Sequence, residues 1–182
     1  TRGQQLTQRA AALLELLESL GHSVRAKSAN KEEVGDAPVG RDRGAGAAPA
    51  PAMRNVPRVM CFVNEIRQLK KLHARLKGCG VRVAALHGEK SQRERDDALR
   101  LFKAGATPVL LTSDLGSRGL DVPRLPAVVN YDPPGSASQY VHRAGRTGRQ
   151  GVKGLVVSLL RRDGPSRQLA AQVQRMYRKA RA

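Results

Sequence analysis

Three arginines lie within seven residues in His142-Arg143-Ala144-Gly145-Arg146-Thr147-Gly148-Arg149, interleaved with two glycines. Guanidinium forks match phosphate oxygens bidentately, and glycine lets a backbone come close to a ligand. The run is poor material for a core element and reads as a site for a phosphate. A basic surface loop would account for a lone Arg-Gly-Arg, but not for this ordered set. Two further clusters carry groups of the same kind. One is Ser113-Asp114-Leu-Gly-Ser-Arg118-Gly119-Leu-Asp121; the other is His87-Gly88, followed by Gln92 and Arg95. Cys61 and Cys79 form no CxxC pair, so they read as reduced thiols, and no residue of this chain is assigned to a metal.

Composition names the partner of such clusters. Lys and Arg total 33 against 15 Asp and Glu, a net charge of +18, which attracts polyanions. Nucleic acid is the leading claimant, an anionic membrane surface a minor one, and a solvated basic surface the plain alternative. With three Tyr, two Phe and no Trp, the chain cannot build a platform on which bases stack. Contact should therefore run through phosphates and sugars. No stretch reaches the roughly 18 to 20 apolar residues needed to cross a bilayer. The start at Thr1, with no charged-then-apolar leader, reads as a fragment or a processed form.

The elements that must position these clusters follow from periodicity. Residues 4–20 predict a helix with Leu6, Leu13, Leu16, Leu17 and Leu20 on one side, stopped by Gly21. It forms most of a leading unit, 1–25. Residues 26–57 lose periodicity and fill with Ala, Gly, Pro and charge, which reads as a flexible insertion. A passive surface loop is the reading preferred there over an RNA-threading segment. From residue 58 to 160, short apolar runs alternate with helical patterns. The runs are Val59–Val63, Val81–Leu86, Val109–Thr112, Ala127–Tyr131 and Lys153–Leu160. Asn64 is placed to cap the first intervening helix, Ser91 with Glu94 to form a capping box, and Ser136 to cap a short helix through Tyr140 and Val141. This pattern predicts an α/β fold: a mainly parallel sheet with helices on both faces, its chemistry beyond the carboxyl ends of the strands. His87-Gly88, Ser113-Asp114 and the loop after Tyr131 do follow strands. Residues 161–182 form a basic helical extension, with Leu169, Val173, Met176 and Tyr177 expected to dock and the Arg and Lys face outward.

Taken together, these motifs closely resemble the second, C-terminal RecA-like lobe of DEAD-box ATP-dependent RNA helicases. The arginine run is similar to that family's motif VI, and Ser113–Asp121 to its motif V. Leu86-His87-Gly88 leads into Gln92-x-x-Arg95 as the family's motif IVa leads into its Gln-x-x-Arg element. Val59–Asn64 resembles motif IV, and Asn130-Tyr-Asp-Pro-Pro134 the stretch between motifs V and VI. All five occur in family order across residues 58–160. His142 separates this group from relatives with Gln at that place. Two positions depart from the pattern: Glu65, where Thr or Ser is usual, and Ser113, where Thr is commoner.

The resemblance implies roles. Arg146 and Arg149 would be arginine fingers reaching the γ-phosphate of ATP, with Gly119 and Asp121 at the ribose and His142 coupling nucleotide to RNA. Asn64, Gly88, Gln92, Arg95, Ser113 and Asp114 would form the RNA face. ATP and Mg²⁺ are the implied cofactors, both held mainly by an N-terminal helicase lobe. Neither a Gly-x-x-x-x-Gly-Lys-Ser/Thr loop nor an Asp-Glu pair occurs here, so the implied ATPase needs that lobe as partner.

Two readings stay open. One is a catalytic lobe that helps separate short duplexes or remodel ribonucleoproteins, with ribosome assembly the preferred client. The other is a non-catalytic RNA-binding scaffold in a large ribonucleoprotein particle. Ribosomal or assembly proteins are candidate partners and a membrane is not. Mitochondrion, nucleolus and cytoplasm are the compartments such an enzyme would occupy.

Overall fold

The protein is described from a computed structural model, in which residues 2–22, 56–117, 119–149, 151–161 and 163–179 are placed. Most of the expected insertion, residues 26–55, lies outside the described residues. In chain order the elements are α1 (Arg2–Ser19), β1 (Val59–Phe62), α2 (Ile66–Gly78), β2 (Val83–Leu86), α3 (Gln92–Lys103), β3 (Val109–Thr112), β4 (Ala127–Asn130), α4 (Ala137–Ala144), β5 (Leu155–Ser158) and α5 (Gly164–Lys179). The five strands form one sheet in the order β2-β3-β1-β4-β5, every neighbouring pair parallel.

Side chains alternate across a strand, so an unbroken apolar run feeds two cores at once. Val59, Cys61, Val109, Leu111, Ala127 and Val129 point to one face and pack against α1 and α2 through Leu13, Leu17, Leu69, Leu72 and Leu76. Met60, Phe62, Leu110 and Val128 point to the other and meet Ala98 and Phe102 of α3 with Val122 and Leu125. This is the three-layer RecA-like arrangement that the strand–helix alternation predicts. The last strand is the exception: β5 lies at the sheet edge, and its Leu155 is exposed.

Helix ends follow local chemistry with one correction. Ser91 accepts from the Glu94 N–H while Glu94 accepts from the Ser91 N–H, a complete capping box. Ser136 accepts from the Gln139 N–H at 3.1 Å. Asn64, however, does not cap α2. The cap position belongs to Glu65, which makes no side-chain capping bond, because Asn64 is spent on a longer-range contact described below. The basic extension also docks less fully than its apolar spacing suggests. Leu169 and Ser166 are buried, whereas Met176 and Tyr177 are 40% and 53% exposed. Tyr177 meets Tyr140 of α4 edge-on, ring centroids 6.5 Å apart.

Three histidines tie the fold to pH. Burial holds the imidazoles of His22, His73 and His87 below their ordinary value. The unfolded chain, with histidine near about 6.5, binds more protons there than the folded chain does. Their contribution to stability is therefore complete above about pH 6.5 and is lost as pH falls through the lower folded values. The urea midpoint should fall between about pH 8 and pH 5.5; a midpoint independent of pH over that range would contradict this.

Candidate nucleotide and RNA site

The clusters at His87-Gly88, Ser113-Asp114 and Asn130-Tyr-Asp132 sit at the carboxyl edge of the sheet, and Arg143 ties the last two to the end of β1. It lies in the last turn of α4 and is 1% exposed. Its Nε and Nη2 donate to the two Asp114 oxygens at 2.7 and 2.6 Å. Nη2 also donates to Asn64 Oδ1 at 2.7 Å, and Nη1 to the Asp132 carbonyl at 2.8 Å and Asn130 Oδ1 at 3.3 Å. The guanidinium lies over the Phe62 ring, 5.0 Å from its centre. One side chain thus joins the ends of β1, β3 and β4. This corrects the view of the arginine run as unsuited to the core. Arg143 lies inside α4, whereas the helix ends at Ala144 and leaves Arg146 and Arg149 in the turn beyond it, on the Leu120 and Gly145 carbonyls.

A second arginine secures the same edge from α1. Arg9 pairs with the Asp132 carboxylate, donates to the Tyr131 carbonyl at 2.5 Å, and stacks on the Tyr131 ring at 4.5 Å. The Asp132 carboxylate also receives the Asn64 N–H at 2.9 Å. Gln139 closes the network, donating to Asp114 at 2.7 Å and accepting the Gly135 N–H at 2.5 Å. Sequence reasoning noticed Asn130 and Asp132 as part of a family-like stretch but gave no role to them, to Arg143, Gln139 or Arg9. Carboxylates and amides directly after apolar strands were the available signal, since such groups need partners when buried.

The candidate nucleotide residues form a separate rim. Gly119 has φ +69°, left-handed backbone that favours glycine, and Asp121 just beyond it is exposed. Arg146 Nη1 donates to the Leu120 carbonyl at 2.9 Å, and its buried Nε has no partner among the described residues. Burial first, then the neighbouring Arg149, lowers the pKa of this guanidinium. Arg149 donates to the Gly145 carbonyl at 2.5 Å and lies 3.8 Å from Asp121. Gly119, Asp121, Arg146 and Arg149 are thus brought together. His142 is exposed and lines a cleft of about 530 Å³ with Arg146, Asp114 and Ser117. Arg118 lies outside the described residues.

Thr147, buried between the two rim arginines, fixes the turn by donating from Oγ1 to the Leu125 carbonyl at 2.5 Å. A Cβ on Gly154 would stand 2.3 Å from that Oγ1 and 2.5 Å from the Gly148 nitrogen. Gly154→Ala should therefore destabilise by about 1–3 kcal/mol, read as a lowered urea midpoint; an unchanged midpoint would show the turn to be free to shift.

The candidate RNA residues line the other part of the edge. Asn64 and Gly88 follow β1 and β2, and both are exposed. Gln92 and Arg95 lie in the first turn of α3, where backbone N–H groups favour anions. Arg95 has a buried Nε without a partner among the described residues. Ser113 is buried and accepts the Gly116 N–H at 3.2 Å. Asp114, placed with the RNA residues by resemblance, spends both oxygens on Arg143 and Gln139. Burial alone would raise its pKa, but hydrogen bonds and charge from Arg143 outweigh this and hold it below the ordinary carboxylate value.

Residues 51–151 match the family described as the helicase conserved C-terminal domain. ATP-dependent RNA helicase DBP2 of Meyerozyma guilliermondii is 43% identical over 102 residues, covering 56% of this chain and 18% of that protein. Among solved structures, E. coli DEAD-box protein SrmB bound to regulator of ribonuclease activity A superposes with a TM-score of 0.61 at 27% identity, over 84% of this chain and 70% of that one. S. cerevisiae Dbp5 bound to RNA and ADP BeF3 does so at 0.60 and 35% identity, over 65% and 32%. The chain thus spans about a fifth of the length of the curated relative. With the motif order, the parallel sheet and the edge geometry in agreement, the chain belongs to the helicase conserved C-terminal domain family, as the C-terminal RecA-like lobe of a DEAD-box RNA helicase.

Proposed function

We propose that this lobe completes an ATP site on a partner lobe and couples nucleotide hydrolysis to RNA held along the carboxyl edge of the sheet. The observation that carries the reading is the rim at Arg146 and Arg149. Two adjacent cations, one part-buried with an unpartnered Nε, lie beside the exposed carboxylate of Asp121. A nucleotide fits that set: Arg146 and Arg149 would meet its γ-phosphate, Asp121 its ribose, and Gly119 would permit close approach. ATP supplies the transferable phosphoryl group, and a guanidinium aimed at it stabilises the negative charge that develops there. Residues for Mg²⁺ and for the other phosphate contacts would come from the N-terminal lobe. His142, in the cleft beside Arg146, would link nucleotide and RNA states.

Asn64, Gly88, Gln92, Arg95 and Ser113 would hold the RNA backbone, in keeping with the RNA in the yeast Dbp5 structure. Contact through phosphates predicts little sequence preference, so this lobe would act on short duplexes or ribonucleoproteins chosen by other segments. A ribosomal precursor is the client that the net charge of +18 favours.

The test uses the two-lobed protein. Arg146→Ala and Arg149→Ala should each abolish RNA-stimulated ATP hydrolysis with RNA affinity retained. Normal turnover in both would leave the RNA-binding scaffold as the function. Arg95→Ala should weaken RNA binding and reduce its salt slope by about one phosphate's share. An unaltered slope would remove Arg95 from the RNA path.

A further inference from the structure

We infer that the outward face of α2 is a second phosphate track, through which the lobe holds RNA that extends past the sheet edge. The inference rests on the RNA reading of that edge. Helix α2 carries Arg67, Lys70, Lys71, Arg75 and Lys77, all exposed, and not one Asp or Glu. Leu69, Leu72 and Leu76 fix its other face to the core, so the charges stand on a rigid element. Arg67, Lys71 and Arg75 recur every four residues. They form one stripe with a rise of about 6 Å per step, close to the separation of successive phosphates on one strand.

Like charges four residues apart on a helix repel one another. A merely solvated helix relieves this with acidic neighbours, as α3 does with Glu94, Asp96 and Asp97 beside Arg93, Arg95 and Arg100. On α2 the described residues offer one outside partner, Glu89, which pairs with Lys70 and leaves the stripe itself uncompensated. Helix α5 is also basic, but its charge gathers toward the last turn, where it offsets the helix's own carbonyl end.

Position and surface chemistry select RNA over an acidic protein. The stripe starts just after Asn64. At Arg67 the stripe lies one turn from Lys70, whose pair with Glu89 reaches the loop holding Gly88, while Lys71 and Arg75 run on beside Thr7 and Tyr131. The track is thus continuous with the candidate RNA edge. Protein interfaces centre on apolar groups, and no exposed large hydrophobic residue lies on α2.

The experiment compares the two-lobed protein with its Arg67→Gln/Lys71→Gln/Arg75→Gln variant. Each is titrated against a short single strand that fills only the edge and against the same strand extended, at several salt concentrations. On the extended strand the variant should lose about two from the log–log salt slope, three phosphates at about 0.7 each. On the short strand its affinity and the ATP turnover it supports should stay unchanged, as should the urea midpoint. Equal loss on both strands, or no loss on either, overturns the track. Absence of RNA binding by the unaltered protein, or full binding by Arg95→Ala, overturns the edge reading instead.

Discussion

Alanine at Arg146 is expected to lower RNA-stimulated ATP turnover of the two-lobed protein by about 10³- to 10⁵-fold. The size follows from where the guanidinium stands. It is part-buried, one of its nitrogens is orphaned, and Arg149 lies close enough to lower its pKa further. Its hydrogen bond to the Leu120 carbonyl at 2.9 Å orients the side chain without neutralising it. A part-buried cation held so is costly until an anion arrives, and it favours most the state in which negative charge is greatest. The loss should therefore fall on kcat more than on the KM for ATP. Arg146→Lys should recover little, because an ammonium lacks the planar fork. Steady-state hydrolysis alongside RNA titration checks this. A variant whose KM rises with kcat intact would make Arg146 a ground-state binding group only.

The second large effect is structural. Asp114→Ala should cost about 3–5 kcal/mol of unfolding free energy, because it strands a buried charge. Arg143 is 1% exposed, and its remaining acceptors, Asn64, Asn130 and the Asp132 carbonyl, are neutral. The reverse change, Arg143→Met, leaves the Asp114 side chain, which is 38% exposed and can be hydrated. It should cost less, and urea unfolding should rank the two variants in that order. The opposite order would mean that Arg143 acts mainly through the strand ends rather than through its charge. The pair also sets an acid limit. Since the folded Asp114 carboxyl is held below its ordinary value, its contribution is complete above about pH 4 and is lost as pH falls through the folded value. Asp114→Ala should flatten that acid limb.

Much of the fold was legible because it rests on local rules. The capping box of Ser91 and Glu94 and the cap at Ser136 need only neighbours within one turn. The strand runs declared themselves by near-continuous apolar residues, polar only at the ends Thr112, Asn130 and Ser158, since a parallel strand covered on both faces has no polar side. The candidate site was legible as residue types in family order, again a property of the chain itself. Asn64 shows where that stops. Its type and place suit a helix cap, yet its side chain is claimed by Arg143, 79 positions away, and by the Pro133 carbonyl. Such a partner leaves no local trace.

The arginine run divides in the same way. Sequence alone determined that Arg143, Arg146 and Arg149 are guanidinium groups in a glycine-bearing run after a short helix, suited to phosphate. It could not rank them. The tertiary structure gave Arg143 to the protein, inside α4 and locked onto Asp114, and left Arg146 and Arg149 on the rim. The physical reason is burial: a guanidinium enclosed among fixed acceptors braces the edge, while one left short of partners is free to meet an anion.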